Sequence, residues 1–206
     1  MALALAAALG LGTVAAGCGN QTDGTSEAVS SEGQGAMIDA FESAGAGWTP
    51  FMTAGSTLSE TSEALHADGA STSTEIAYSV AAGGSAGLQR AFSTPQDWSA
   101  KSGLTVWVYG RATGHSFLVQ VSDAGNERWE ARFTVDFSGW KQVSIPFASL
   151  TAAAWQPPDA RVDGVRDFGG VTGMALAPSE RAGAGVVNLD LLALGGAAPD
   201  GGAAPT

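Results

Sequence analysis

The stretch from Asp97 to Leu150, DWSAKSGLTVWVYGRATGHSFLVQVSDAGNERWEARFTVDFSGWKQVSIPFASL, decides the fold of this chain. It contains four segments in which apolar and polar residues alternate, separated by short polar or glycine-bearing turns. Alternation with a period of two buries one face of a β-strand and leaves the other face free. The stretch therefore predicts an antiparallel sheet, in which Pro146 ends the fourth strand or places it at an edge.

The flanking sequence adds further short strand patterns, at 72–81, 88–92, 171–176 and 186–194, with Gly and Pro between them. No segment longer than eight residues has a convincing helical period. Short strands at this spacing are typical of an all-β protein, and a second sheet is needed to cover the first. The sequence predicts an antiparallel β-sandwich or jelly roll.

Charge and cysteine content exclude several classes of partner. Among 206 residues, 9 are Lys or Arg and 20 are Asp or Glu, which gives a formal net charge of -11. Such a charge opposes binding to nucleic acid or to an anionic membrane surface. The single cysteine, Cys18, excludes an internal disulfide and a cysteine-based zinc cluster.

The first 17 residues are rich in alanine and leucine, carry no charge, and end in Ala-Ala-Gly before Cys18. This pattern is that of a signal peptide. It resembles the lipobox of bacterial lipoproteins, which implies a lipid on Cys18 and a place in the bacterial cell envelope, periplasmic or surface-exposed. An ordinary signal peptide cut elsewhere, with Cys18 incidental, is the alternative.

Composition divides the rest of the chain. Residues 18–36 are almost free of apolar side chains and are expected to form a flexible tether. Residues 37–194 hold all the strand patterns and are predicted to be the β-sandwich domain. Residues 195–206 form a Gly, Ala, Pro and Asp tail that is expected to be disordered.

Several motifs of the domain resemble those of one fold family. They are Phe41-Glu42 with Trp48, Asp97-Trp98-Ser99, Leu104 to Gly110, Gly139 to Phe147, Gly173 to Leu176 and Val187 to Leu192. The chain thereby resembles the galactose-binding-like jelly rolls, close to family 11 carbohydrate-binding modules and the domain of complex I intermediate-associated protein 30. The resemblance implies non-catalytic binding of a polysaccharide or oligosaccharide.

The strand alternation predicts which face of the sheet binds a ligand. Trp107 and Tyr109 alternate with the apolar Leu104, Val106 and Val108, and by the same counting Gln120, Arg128, Glu130 and Arg132 occupy the equivalent face of neighbouring strands. Flat aromatic surface beside planar donors and acceptors suits sugar rings and their hydroxyls. We therefore predict that these six residues line one cleft. Solvated cross-strand pairs are the alternative for the arginines and glutamate.

Three other tryptophans are interpreted as residues that stabilise the fold and do not bind ligand. Trp98 and Trp140 are expected to hold the core or a loop, and Trp129 shares the phase of the apolar Phe133 and Val135.

A structural Ca²⁺ is implied by the fold resemblance, with Glu42 and Asp190 at the matching positions. Ca²⁺ requires six to eight oxygens, so two carboxylates need main-chain partners. Ordinary terminal carboxylates remain the alternative.

Motifs of catalysis are missing from the sequence. His66 and His115 are the only histidines, and no nucleophile elbow, zinc-protease motif or phosphate loop is present. Asp123, Glu127, Glu130 and Asp136 are near one another in sequence, but their separation in space, which decides glycoside hydrolysis, is not given by counting.

We therefore expect a non-enzymatic, envelope-anchored lipoprotein that binds polysaccharide. A protein-interaction or assembly module, docking an envelope protein partner on the same face, is the second hypothesis. A structural domain that tethers a complex to the envelope is the third.

Overall fold

The fold is a sandwich of two antiparallel sheets. The computed structural model describes residues 36–53, 55–67, 69–179 and 183–195, and within these ranges it contains twelve strands and two short 3-10 helices. The strands are β1 (Met37–Asp39), β2 (Thr49–Met52), β3 (Thr57–Glu63), β4 (Ser73–Val80), β5 (Ala86–Gln96), β6 (Gly103–Arg111), β7 (His115–Ser122), β8 (Arg128–Val135), β9 (Ser138–Pro146), β10 (Thr151–Ala152), β11 (Val171–Ser179) and β12 (Gly183–Gly195). The helices span Phe147–Ser149 and Phe168–Gly170.

Each sheet has six strands. The first sheet has the order β3-β4-β12-β6-β9, and β1 also pairs with β12. The second sheet has the order β10-β8-β7-β11-β5-β2. Because β7 and β8 pair in the second sheet while β6 and β9 pair in the first, the four strands of the central stretch are divided between the two sheets.

The core lies between the sheets, where the inward residues of each strand meet. Val106 and Val108 of the first sheet and Val119 and Val121 of the second are all fully buried. Burial of such side chains contributes about 1.5–3 kcal/mol each. One end of the core is closed by Trp98, whose ring is stacked on that of Phe147 with centroids 6.0 Å apart.

The fold class predicted from the sequence is confirmed. The four central strands, the two before them and the two after them are all present, and β9 ends at Pro146 at the edge of the first sheet. The sequence patterns did not reveal β3, whose residues TLSETSE are mostly polar. Its polarity reflects its position, because β3 is the edge strand beside β4 and most of its residues face solvent.

Some predictions concern residues outside the described ranges. The signal peptide at 1–17, Cys18, the tether up to residue 35 and the tail after Gly195 belong to this group. In the part of the chain that the structure describes, no helix combines the length and apolar character required to cross a membrane.

Candidate functional site

A groove crosses the outer face of the second sheet. The register pairs Gly173 with Ser122 and Ala175 with Gln120, and paired residues of antiparallel strands point to the same face. The groove has a volume of about 700 Å³. Its lining residues come from β2, β5, β7, β8, β11 and the β7–β8 turn: Thr49, Phe51, Gln89, Arg90, Ala91, Gln120, Ser122, Asn126, Arg128, Thr172, Gly173, Met174 and Ala175.

Small residues on the central strands make the groove concave. A Cβ at Gly173 would lie 2.8 Å from the carbonyl oxygen of Arg90, and one at Gly87 would lie 2.6 Å from the Cβ of Ala177. Both distances are shorter than real Cβ contacts, so β11 and β5 pack too closely for a side chain at these positions. The groove spans β8 to β2, a distance of about 19 Å at a strand spacing of about 4.8 Å. It is long enough for several sugar rings.

Arg128 lines one end of the groove, and Trp155 packs on its guanidinium from outside the lining. The guanidinium carbon of Arg128 lies 4.7 Å from the centre of the Trp155 ring, and the Trp155 side chain remains 59% exposed. Such a contact contributes about 0.5–1 kcal/mol at an exposed site. Partial burial lowers the pKa of the Arg128 guanidinium, an effect that Asp159 opposes through its negative charge.

Gln156 holds this end in place. Its side-chain oxygen accepts a hydrogen bond of 2.7 Å from the backbone N–H of Arg128, and its amide nitrogen donates to the carbonyl oxygens of Arg128 and Ala153, at 2.9 and 3.0 Å. β10 pairs with β8 only as far as Trp129. At Arg128, the next residue of β8, the side-chain amide of Gln156 makes the two hydrogen bonds that a neighbouring strand would otherwise make. Trp155 is consequently fixed next to Arg128.

The middle of β8 carries a charged pair. Arg132 and Glu130 form an ion pair of 2.9 Å, and Gln120 donates a hydrogen bond of 3.5 Å to Glu130. The ion pair joins two residues of β8, so it is not the cross-strand arginine–glutamate pair that the sequence left as an alternative, and the contact across strands is the one between Gln120 and Glu130. Both contacts lie on the same face as Arg128, and they hold the amide of Gln120 beside the groove.

Phe51 and Arg90 lie at the opposite end. Arg90 forms an ion pair with Asp39, which also accepts a hydrogen bond of 3.0 Å from the indole nitrogen of Trp48. The guanidinium carbon of Arg90 lies 5.9 Å from the ring centre of Trp48. The guanidinium of Arg90 is therefore held by Asp39 and Trp48. Phe51 provides the aromatic surface at this end of the groove.

The prediction of one six-residue cluster is wrong. Trp107 and Tyr109 do point away from the core, but β6 belongs to the first sheet, whereas Gln120, Arg128, Glu130 and Arg132 lie on the second. The two outer faces of a sandwich are on opposite sides. Tyr109 packs edge-on against Trp140, with ring centroids 5.5 Å apart, and beneath Arg111. Strand counting gave the correct phase but could not assign strands to sheets.

The predictions for Trp98 and Trp129 are confirmed, because both are buried in the core. Trp140 does not fit its prediction: it lies on β9 opposite Tyr109, so its side chain is on the outer face of the first sheet and not in the core or a loop. Trp155 was not singled out from the sequence, since it lies in a loop without strand periodicity. Its position next to Gln156 and two prolines in a loop was the available signal, because exposed aromatic residues on loops often contact ligands.

The predicted calcium ligands lie near each other. Glu42 accepts hydrogen bonds from Ser71 and Thr72, which lower its pKa to about 2. Asp190 is fully buried, and burial raises its pKa to about 6, to which the negative charge of Glu42 contributes. Oδ2 of Asp190 accepts from the N–H of Ala67 at 2.9 Å, while Oδ1 is buried without a partner.

This donor set fits a cation that is completed by main-chain oxygens. A buried carboxylate oxygen without a donor, beside a second carboxylate, is stabilised by positive charge. In the described part of the chain, no three acidic, His or Cys side chains come together to hold a metal. Carbonyl oxygens would therefore have to supply most of the coordination, as Ca²⁺ sites permit.

The carboxylates considered for glycoside hydrolysis do not form a catalytic pair in the groove. Asp123 and Glu127 are 2% and 1% exposed, and backbone N–H groups donate to both. Glu130 is held by Arg132. An acid that is buried and hydrogen-bonded in this way cannot reach a glycosidic bond in the groove.

Comparisons with known proteins agree with the fold and with the family resemblance. A family model described as "Carbohydrate binding domain (family 11)" matches residues 24–196. The family 11 module from Clostridium thermocellum, solved with a β-1,3-1,4-mixed-linked tetrasaccharide, has a TM-score of 0.70 at 20% identity, over 80% of this chain and 97% of that chain. An exo-β-agarase has a TM-score of 0.56 at 12% identity, over 81% of this chain and 25% of that chain.

A curated relative is a mannan endo-1,4-beta-mannosidase of Bifidobacterium adolescentis. It is 36% identical over 70 residues, which are 32% of this chain and 7% of the relative. The chain therefore spans only a small part of that enzyme's length.

Proposed function

The chain belongs to family 11 of the carbohydrate binding domains, as the sequence resemblance predicted, and from this premise we propose that the groove on its second sheet binds a polysaccharide chain. The observation that carries the proposal is the composition of the groove. Phe51 and Arg128 line its two ends, the exposed indole of Trp155 stacks on the Arg128 guanidinium, and the side-chain amides of Gln89, Gln120 and Asn126 also line the groove. Indole and phenyl faces pack against pyranose rings, and amides both donate to and accept from hydroxyls.

The groove predicts modest affinity. It is open and crosses the strands, so a bound glycan would keep one side in water. A few stacked rings and hydrogen bonds, less the ordering and desolvation costs, correspond to a Kd of roughly 10 µM to 1 mM. Modules that bind at such affinity rely on repeated contact along a polymer.

Affinity electrophoresis against a panel of polysaccharides tests the proposal. The panel contains mixed-linkage β-glucan, mannan, agarose and one acidic polysaccharide. A Gln89→Ala, Gln120→Ala double variant should migrate faster than the wild type in gels that contain the bound glycan. Gln142→Ala, on β9 of the first sheet, is the matched control and should be retarded like the wild type. Equal retardation of both variants would count against the groove.

The whole protein acts, in this proposal, as a binding module without catalysis. The comparison with a mannosidase concerns a small part of that enzyme, and no aspartate or glutamate is among the residues that line the groove, since Asp123 and Glu127 are buried and Glu130 is paired with Arg132. Incubation of the purified chain with each bound polysaccharide should release no reducing ends above background. Release of sugar that survives repurification would overturn this part of the proposal.

Calcium is the proposed structural cofactor, held by Glu42 and Asp190 together with main-chain oxygens. Asp190 supports the proposal, because its Oδ1 atom is buried and accepts no hydrogen bond. A bound cation would contribute positive charge that stabilises this carboxylate; Glu42 would be held toward it by Ser71 and Thr72. The role assigned to the ion is to join the segment that precedes β2 to β12.

Envelope attachment through Cys18 is also proposed. The apolar residues 1–17, followed by Ala-Ala-Gly and Cys18, support it. Acyl chains contribute about 0.8 kcal/mol per buried methylene, so several chains would make attachment effectively permanent. Metabolic labelling with a fatty acid should mark the wild type and not Cys18→Ala. Equal labelling of both proteins would refute lipidation at this residue.

A further inference from the structure

Arg128 differs from the other described arginines in its partners. Arg90, Arg111, Arg132 and Arg161 each form an ion pair with a carboxylate, and Arg166 donates to the carbonyl oxygen of Phe147. The side chain of Arg128 makes no ion pair or hydrogen bond with any described residue, and its Nε atom is buried without a partner. Its guanidinium is the one in this set whose donors are all unused.

An unpaired arginine on an open surface needs no explanation, because an exposed ion pair contributes only about 0–1 kcal/mol. Arg128 is in a different position. One face of its guanidinium is covered by Trp155 at 4.7 Å, and burial lowers its pKa, so its positive charge is incompletely solvated. Gln156 fixes its backbone through both the N–H and the carbonyl oxygen. The cation is thus fixed in place before any ligand arrives.

The lining of the groove around Arg128 is free of acidic side chains, and Asp159, outside that lining, is the carboxylate whose charge acts on Arg128. None of the lining residues is an aspartate or a glutamate, although the chain has 20 acidic residues. Glu130, the acidic residue on the same strand face, is paired with Arg132. Asp159 accepts a hydrogen bond of 3.1 Å from Asn126 and favours the charge of Arg128 without forming an ion pair with it.

We propose that Arg128 binds the carboxylate of a uronic acid ring, so that the groove prefers an acidic polysaccharide over its neutral counterpart. This inference rests on the proposed function of the same groove. The planar donors of a guanidinium match the two oxygens of a carboxylate, and a charged partner strengthens the hydrogen bonds. Gln120, Ser122 and Asn126, which line the groove beside Arg128, supply groups for the ring hydroxyls.

The net charge of -11 acts against a polyanion at long range. At physiological ionic strength the Debye length is about 8 Å, so exposed carboxylates outside the groove are largely screened. The contact at Arg128, in a partly buried site, is screened less. Raising the salt concentration from low to physiological values should therefore raise the affinity modestly, because the long-range repulsion weakens more than the contact at Arg128.

Two oligosaccharides of equal length test the proposal: an oligogalacturonate and its carboxyl-reduced form, which retains the hydroxyls and lacks the charge. Titration calorimetry should give tighter binding of the oligogalacturonate to the wild type. Arg128→Gln should weaken that binding about 10- to 100-fold, the loss expected for hydrogen bonds to a charged group, and should weaken binding of the neutral form much less, by about 2- to 5-fold, because the guanidinium also supports Trp155. Lys101→Gln removes the same charge from an exposed position outside the groove and should change neither affinity.

The outcomes separate the two proposals. Equal binding of both oligosaccharides to the wild type, or an equal loss of both in Arg128→Gln, overturns the role of Arg128 and leaves polysaccharide binding intact. Binding of a sulfated oligosaccharide in place of the uronate overturns the choice of carboxylate. Failure to bind any polysaccharide of either charge overturns the proposed function as well. Circular dichroism of each variant establishes that it is folded.

Discussion

The indole nitrogen of Trp129 donates a hydrogen bond of 2.9 Å to Oδ2 of Asp123, and both side chains are buried. Oδ1 of the same carboxylate accepts from the backbone N–H groups of Gly125 and Glu127, at 2.8 and 2.9 Å. Asp123 thereby closes the β7–β8 turn and ties it to the core beneath Arg128. The position of the groove depends on this buried anion.

Asp123→Ala should destabilise the domain strongly. The change leaves two backbone donors and one indole donor without their acceptor, and each unsatisfied buried donor costs about 1–3 kcal/mol. We expect the free energy of unfolding in urea to fall by about 3 kcal/mol or more. Asp136→Ala, at an exposed turn, is the control and should stay within about 0.5 kcal/mol of the wild type. Similar losses for the two variants would contradict the assigned role.

Strand periodicity was sufficient to predict the fold, and it failed where strands had to be assigned to sheets. Val106 and Val119 are buried as their alternation indicates. The same alternation correctly turned Trp107 outward. It could not show that β6 pairs with β9 and β12 while β7 pairs with β8 and β11, because that choice depends on non-local pairing.

Only some of the residues at the groove could be predicted from the sequence. Gln120 and Arg128 lie on strands, so their outward direction followed from the pattern. Trp155 and Gln156 lie in a loop, and their positions depend on hydrogen bonds to the Arg128 backbone, which no periodicity encodes. Gln89 lies on a strand that was predicted. Its partner on the adjacent strand β11, Ala175, is known only from the register of β5 with β11.

Trp155→Ala should weaken glycan binding, whereas Trp107→Ala should not. The exposed indole of Trp155 lies on Arg128 at the end of the groove, and covering its face with the apolar face of a sugar ring removes apolar surface from water, which contributes about 25 cal/mol per Å². We expect a rise in Kd of about 3- to 10-fold for Trp155→Ala, measured by calorimetry with the best glycan of the panel. Trp107→Ala tests the opposite sheet and should alter stability more than affinity. The reverse ranking would restore the sequence-based assignment.

Gln156→Ala should weaken binding through Trp155 and Arg128 without touching the glycan. Loss of its side chain removes three hydrogen bonds that fix the loop to β8. Loosening the loop adds an ordering cost to binding, of about 0.5–1.5 kcal/mol for each side chain that must be immobilised. The expected rise in Kd is about 3- to 10-fold.

A double variant distinguishes this positioning role from direct contact. In a Trp155→Ala background, Gln156→Ala should have a smaller effect than in the wild type, because part of what it positions is already gone. Fully additive losses would mean that Gln156 contacts the glycan itself. Gln142→Ala provides the matched glutamine control on the first sheet.

Calcium should raise the melting temperature of the wild type and should do so much less for Asp190→Asn. A ligand at a hundred times its Kd stabilises the folded state by about 2.7 kcal/mol, which for a domain of this size corresponds to about 5–10 °C. Asparagine retains the shape of Asp190 and an acceptor for the Ala67 N–H, but it removes the negative charge that a cation needs. Without calcium the variant should be at least as stable as the wild type, because it removes a buried, incompletely paired negative charge near Glu42.

Differential scanning calorimetry in calcium and in chelator measures both effects, with Asp136→Asn as the charge-matched control. The same melting temperature for the wild type in the two buffers would remove calcium from the proposal and leave Asp190 as an unpaired buried acid.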